Sequence, residues 1–292
     1  MTPTRPSRTA EAVCLMRAVD QQRSPEARII DDPYASWFLS GFARTHLAAA
    51  LTTGRLSIPP RMIPALTTWI QLRHRYMDDC FRAALADPTL AQVVVLGAGY
   101  DMRAARFAAE IAGRPVFEVD FPSTSERKQR VLRRHVGEYP AGDVRHVRID
   151  FQTEAMEDVL LGAGLRPGAR TFFFWEGVSM YLRREAVKGT LATLRSLGGP
   201  GSGLTMDFWH VLDGPDLLAT AHRASANLLH FLSEPITFAL HPEDCPDFMR
   251  RHGWEVREVA DAELLLRRYT RGEGTAFPAT YVIHACAEAD GR

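Results

Sequence analysis

The clearest pattern along the chain is a β-branched apolar run, Val93-Val94-Val95-Leu96, which stops at Gly97-Ala98-Gly99 and gives way to helical spacing from Met102 to Glu110. An apolar run without alternation marks a strand buried on both faces, and the paired glycines mark the tight turn that ends it. Similar signatures recur at 115–120, 144–151, 171–175, 204–208, 254–260 and 280–287, which read as further strands. Helical spacing fills 65–86, 123–136, 153–161 and 242–253, the last ended by glycine. Upstream, Thr9 caps a helix with Ala12, Leu15, Met16 and Val19 on one face, and Asp31-Asp32-Pro33-Tyr34 turns into another that Asp32 caps. Residues 47–64, interrupted by Thr, Gly and Pro, read as short helices and loop. Strands alternating with helices predict an α/β chain, and a terminal strand–helix–strand unit closes its sheet at seven strands, mostly parallel with one antiparallel.

A parallel strand ending in Gly-x-Gly lets a ligand lie on bare backbone at the carboxyl edge of the sheet, facing the amides that open the next helix. A dinucleotide cradle needs a third Gly or Ala three places after the second glycine, and Met102 stands there. The ligand expected is therefore nucleoside-like, without a pyrophosphate. The next strand ends in Asp120, about 20 residues past the glycines, where a carboxylate accepts from ribose hydroxyls. The third ends in Asp150, which suits an adenine amine with Phe151 against the ring, or caps the following helix, or does both. Glu176 follows the aromatic run Phe172-Phe173-Phe174-Trp175, and a carboxylate is too costly there unless it faces the cleft.

Composition narrows the classes. A chain of 292 residues suits one large α/β domain, here 9–290 behind a polar, disordered start at 1–8. Lys plus Arg equals Asp plus Glu at 35 each, so no global field favours nucleic acid or an anionic membrane. No apolar run approaches the ~20 residues of a membrane span. Cys14, Cys80, Cys245 and Cys286 are widely spaced with no CxxC, as expected of reduced thiols in a cytoplasm. The ten histidines form no HxH or HExxH, so no metal site is expected. Arg127, Lys128, Arg130, Arg133 and Arg134 read as a charge run on a solvated helix face, with Lys128 also a candidate partner for local acids.

Taken together, Leu96-Gly97-Ala98-Gly99-Tyr100-Asp101, Glu118-Val119-Asp120-Phe121-Pro122 with Lys128 behind it, Asp150-Phe151, and Glu176-Gly177-Val178-Ser179-Met180-Tyr181-Leu182 resemble the leucine carboxyl methyltransferase family of class I S-adenosylmethionine enzymes, in its natural-product-type bacterial members. The resemblance runs from Thr9 to about Ala287. It implies a Rossmann-like sheet with helices on both faces, a helical cap at 9–90, core sheet at 91–209 and 240–290, and a lid at 210–239. It also implies S-adenosylmethionine as cofactor, with Arg73 and a basic residue of the first helix, Arg17, at its carboxylate. Gly97 and Gly99 lie beneath it, Asp120 and Phe121 at the ribose, Asp150 and Phe151 at the adenine, and Glu176 at the methionine end. Tyr181 falls on the substrate side, so Glu176 and Tyr181 are the candidate catalytic residues.

The expected reaction is methyl transfer to oxygen, most simply to the carboxylate of a small molecule or peptide, with a phenol or alcohol as the alternative. The sulfonium carries its own activation, so alignment and desolvation suffice and no catalytic dyad is needed. A nicotinamide reductase is disfavoured by Met102 and by the absence of any tyrosine followed four places on by lysine. A serine hydrolase is disfavoured because Gly177-Val178-Ser179-Met180-Tyr181 lacks the closing glycine of a nucleophile elbow. An inactive binding protein on this fold would tend to have lost Asp120, Asp150 and Glu176.

Overall fold

In the computed structural model the described residues are 8–41, 43–45, 62–140, 142–150, 153–210 and 236–288. Seven strands form one sheet: β1 (Gln92–Leu96), β2 (Val116–Asp120), β3 (Val144–Arg148), β4 (Thr171–Trp175), β5 (Gly203–Trp209), β6 (Trp254–Asp261) and β7 (Thr280–Ala287). Their spatial order is β3-β2-β1-β4-β5-β7-β6, with β7 antiparallel to both β5 and β6. The single antiparallel strand is the one the terminal unit predicts.

The continuous apolar character of β1 and β4 follows from helices on both faces. Val93 and Val95 of β1, with Phe172 and Phe174 of β4, pack toward α2 (Met62–Leu85) through Trp69, Leu72, Met77 and Phe81. Val94, Leu96, Phe173 and Trp175 pack the other way, onto Leu191 and Leu194 of α7 (Arg184–Leu197) and Phe248 of α8 (Cys245–Arg250). The remaining helices are α1 (Arg8–Asp20), α3 (Arg103–Arg106), α4 (Ala108–Ile111), α5 (Pro122–Leu132), α6 (Met156–Gly162) and α9 (Ala262–Thr270). Helix α7 has a strong apolar stripe, Val187, Leu191, Leu194 and Leu197, that sequence reading passed over.

Several boundaries differ from expectation. The element after Asp32-Pro33-Tyr34 is one 3-10 turn, Ala35–Phe38, because Asp32 accepts from Tyr34 N at 3.2 Å in an Asx turn and its other oxygen goes to Arg17. The basic helix stops at Leu132 and tightens into a 3-10 turn at Arg133–His135. Strand β3 ends at Arg148, short of Asp150. Phe151 lies outside the described residues, as does the lid expected at 210–239, apart from His210 and 236–239. Residues 1–7 also lie outside them.

Candidate cofactor and active site

The carboxyl ends of β1, β2 and β4 open into a cleft of about 440 Å³. Its floor is the glycine turn. Gly97 (φ +59°) and Gly99 (φ +48°) both adopt the left-handed conformation that glycine tolerates best. A Cβ on Gly97 would lie 2.3 Å from Val178 Cγ2, and one on Gly99 would lie 3.4 Å from Ala10 Cβ. Glycine therefore lets α1 and the loop after β4 close over the turn from two sides. Thr9, Ala10, Val13 and Arg17 of α1 line the cleft, as do Tyr181 and Leu182 from the loop after β4.

Asp120, at the end of β2, receives backbone N–H groups from Gly99 on Oδ2 and from Phe121 on Oδ1. It is only 8% exposed, and burial pushes its carboxyl up to about 6 even though both N–H groups favour the ionised form. A carboxylate with open lone pairs beside a glycine turn suits the vicinal hydroxyls of a ribose. Phe121 lines the cleft next to it. Asp150 is elsewhere. Because β3 has already ended, the chain turns here, with Asp150 O accepting from Thr153 N and Glu154 N while Asp150 N donates to Glu154 Oε2 at 2.8 Å. Among the described residues Met156, not Asp150, lines that end of the cleft.

Beyond the carboxyl end of β4 the cleft is backed by a buried ion-pair network. Arg73 donates from Nε to Glu176 Oε1 at 3.1 Å and from Nη1 to Asp207 Oδ2 at 2.6 Å. Asp207 Oδ1 in turn accepts from Gly177 N at 2.7 Å, which fixes the loop after β4. Arg73 therefore holds two protein carboxylates, and one proton on each terminal nitrogen remains to meet a ligand. From the other side Arg103 Nη1 reaches Glu176 Oε2 at 2.7 Å and also pairs with Asp101, while its Nε holds Asp78 at 2.7 Å. Burial pushes the Glu176 carboxyl up, but Arg103 and Arg73 together with a hydrogen bond from His74 outweigh it, and the group sits well below the usual range. For Asp207 the balance goes the other way: burial outweighs Arg73 and its carboxyl is raised.

Arg17 lines the cleft, but its Nη1 is 3.0 Å from Asp32 and its Nη2 donates to Tyr100 O at 3.0 Å. Its Nε has no partner, an orphaned buried donor on the cleft wall. Lys128 leaves the solvated face for its other reading, a partner of a local acid: it is buried, donating to Glu118 Oε2 at 2.7 Å and to Asp101 O behind the glycine turn.

Sequence reasoning placed Arg17, Arg73, Gly97, Gly99, Asp120, Phe121, Glu176 and Tyr181, and the structure brings all eight to one cleft. It missed His74, Asp78, Asp101, Arg103, Arg106 and Asp207. Two signals were available. His74 and Asp78 are four residues apart on one helix, and Asp101 and Arg103 flank Met102 just past the glycine turn.

A model of the leucine carboxyl methyltransferase family matches residues 10–195. A protein of Mycobacterium sp. (strain JLS) assigned as an S-adenosyl-L-methionine-dependent methyltransferase is 31% identical over 85% of this chain and 82% of its own. Another so assigned, from Frankia alni, is 33% identical over 86% and 84%. Among solved structures, a DUF574 family protein from Streptomyces avermitilis has a TM-score of 0.61 at 14% identity, covering 97% of this chain and 98% of that one. A protein from Thermobifida fusca assigned as a methyltransferase also has a TM-score of 0.61 at 14% identity, covering 98% and 96%. These two share the fold. The cofactor is S-adenosylmethionine and the reaction class is methyl transfer. With the glycine turn, Asp120 and Glu176 all inside the matched stretch, the chain belongs to the leucine carboxyl methyltransferase family.

Proposed function

We propose that the chain transfers the methyl group of S-adenosylmethionine to a carboxylate oxygen, giving a methyl ester on a small-molecule or peptide acid of the natural-product type. The observation that carries this reading is the state of His74, the one histidine on the cleft wall among the described residues. Its Nδ1 lies 2.8 Å from Arg103 Nη2 and its Nε2 2.8 Å from Arg106 Nη1, so neither nitrogen is available to take a proton from a substrate. A phenol, ionising near pH ~10, would need such a base, whereas a carboxylate near ~4 is already the nucleophile at neutral pH.

In the proposed step the cofactor supplies an electrophilic methyl: an acceptor oxygen forms the new C–O bond as the C–S bond breaks, and sulfur keeps the electron pair. The protein holds donor and acceptor in line and excludes water. Tyr181, half-buried on the cleft wall, borders the acceptor, and Glu176 serves the amine of the cofactor. The four free cysteines favour a reducing compartment, the cytoplasm.

The test is to incubate the protein with a bacterial lysate and methyl-labelled cofactor and treat the labelled product with mild alkali. A methyl ester releases labelled methanol. A label that resists alkali is an ether, and would move the protein to the phenol- or alcohol-methylating class.

A further inference from the structure

The floor of the cleft can be read as a count of charges. Arg73, Arg103 and Arg106 supply three guanidinium groups, and Asp78, Asp101, Glu176 and Asp207 supply four carboxylates, all joined in one chain of contacts. The two neighbouring pairs, Arg17 with Asp32 and Lys128 with Glu118, are each balanced. His74 sits at the centre and adds no charge: with an arginine on each ring nitrogen, at least one nitrogen must be an acceptor, so the ring is neutral. Burial, reinforced by Arg103, holds its imidazole below the usual range. With all four acids ionised the network carries one negative charge in excess.

The excess is not spread evenly. Asp78 and Asp207 are sealed in, at 1% and 0% side-chain exposure, whereas Glu176 at 12% and Asp101 at 10% reach the cleft. An uncompensated carboxylate in such a setting costs several kcal/mol unless a cation completes it. Among the described residues Arg103 pairs with both exposed carboxylates. It comes from behind the glycine turn, its guanidinium 4.6 Å above the Phe174 ring, and is itself 1% exposed. It does not line the cleft, so any effect it has on a ligand passes through the cleft residues it touches, Glu176, Asp101 or His74. His74 braces the same carboxylate when Nδ1 carries the ring proton, donating to Glu176 Oε2 at 3.2 Å while Nε2 accepts from Arg106.

We propose that Arg103, braced by His74, is a positioning residue that fixes Glu176 to receive the ammonium group of S-adenosylmethionine, the cation that completes the charge balance of the floor. This rests on the cofactor reading above and deepens it. It separates two parts of the ligand: the amine end depends on Arg103, and the nucleoside end, held by Asp120 and the glycine turn, does not.

The test measures binding of two probes by calorimetry. S-adenosylhomocysteine carries the amine. 5′-Methylthioadenosine keeps the adenine and ribose and lacks the amino-acid end. In Arg103→Lys, which keeps the charge but loses the fork, S-adenosylhomocysteine is expected to bind about 10- to 100-fold more weakly, the scale of a lost charged hydrogen bond, while 5′-methylthioadenosine stays within about twofold of the parent. His74→Gln should show the same split at smaller amplitude, and it carries the test if the lysine variant does not fold. Glu176→Gln should absorb the effect, so that adding Arg103→Lys to it costs little more. The proposal is overturned if both probes lose affinity together, if neither does, or if the Arg103 and Glu176 losses simply add. A parent protein that binds neither probe would overturn the cofactor reading instead.

Discussion

Asp120 makes the cleft sensitive to pH. Its carboxyl is raised from 3.8 to about 6 by burial, and ribose hydroxyls need its ionised form as acceptor. In the free protein at pH 7.5 the group is almost wholly ionised, and at pH 5 roughly one molecule in eleven is. If only the ionised form binds, affinity for S-adenosylhomocysteine falls about tenfold between those values, or about 1.4 kcal/mol. The sign for stability is opposite. A raised acid is ionised in the unfolded chain before it is ionised in the folded one, so Asp120 opposes folding above pH 6 and the penalty fades as pH falls from 6 toward 3.8. The displacement from 3.8 to about 6 corresponds to about 3 kcal/mol at neutral pH, to within a factor of two.

The assay is calorimetric titration with S-adenosylhomocysteine at intervals from pH 7.5 to 5.0, on the parent and on Asp120→Asn. The amine and carboxyl groups of the ligand titrate outside this window. The asparagine variant keeps the shape, loses one of the two N–H acceptors and cannot titrate, so it should bind about 10- to 100-fold more weakly at pH 7.5 and show no further fall. His74, whose imidazole burial holds below its ordinary range, is unchanged in the variant, so any pH dependence that came from it would survive there. A parent affinity flat to pH 5, or a variant that keeps the parental slope, refutes the account.

Arg73→Ala leaves Asp207 buried at 0% exposure without its guanidinium partner, which should cost about 3–5 kcal/mol and lower the melting temperature by about 10 °C. Thermal melting checks this, and adding Asp207→Asn should recover part of the loss; a single variant that melts within 2 °C of the parent, to order of magnitude, would show that the pair is not coupled to folding. Gly97→Ala places a methyl 2.3 Å from Val178 Cγ2 at φ +59°, so the loop after β4 must move off the turn. Its binding of S-adenosylhomocysteine should fall at least about tenfold, and Val178→Ala should restore only part, because the backbone strain of about 1 kcal/mol remains. Full recovery in that double variant would assign the whole effect to the clash.

What was legible in the sequence is what local geometry decides. A strand that ends in two glycines must turn there, and the acids closing the next strands in order must fall along the same sheet edge, so Gly97, Gly99, Asp120 and Glu176 could be placed without coordinates. Arg73 could be picked out only with help from a family pattern, against Arg75 and Arg82 on the same helix. The physical reason is helix phase: Arg73 shares its face with Trp69, Tyr76 and Met77, all buried, whereas Arg75 and Arg82 point outward and pair with Asp79 at 39% and 48% side-chain exposure. Read by phase, the same helix also puts His74 and Asp78 inward, and buried charges of that kind demand partners. Those partners were invisible because they are distant in the chain: Arg103 lies 29 residues from His74, Glu176 lies 102 away, and Asp207 lies 134 from Arg73. Sequence periodicity reports which side chains are buried, and only the crossing of strands and helices decides which buried charges meet. Lys128 stood between two readings, part of a solvated row with four arginines or a partner for local acids, and its helix turns that one position onto Glu118. Polar residues at inward phase on elements that flank a glycine turn are therefore the ones to suspect in such chains, since burying them is worthwhile only if the fold supplies the opposite charge.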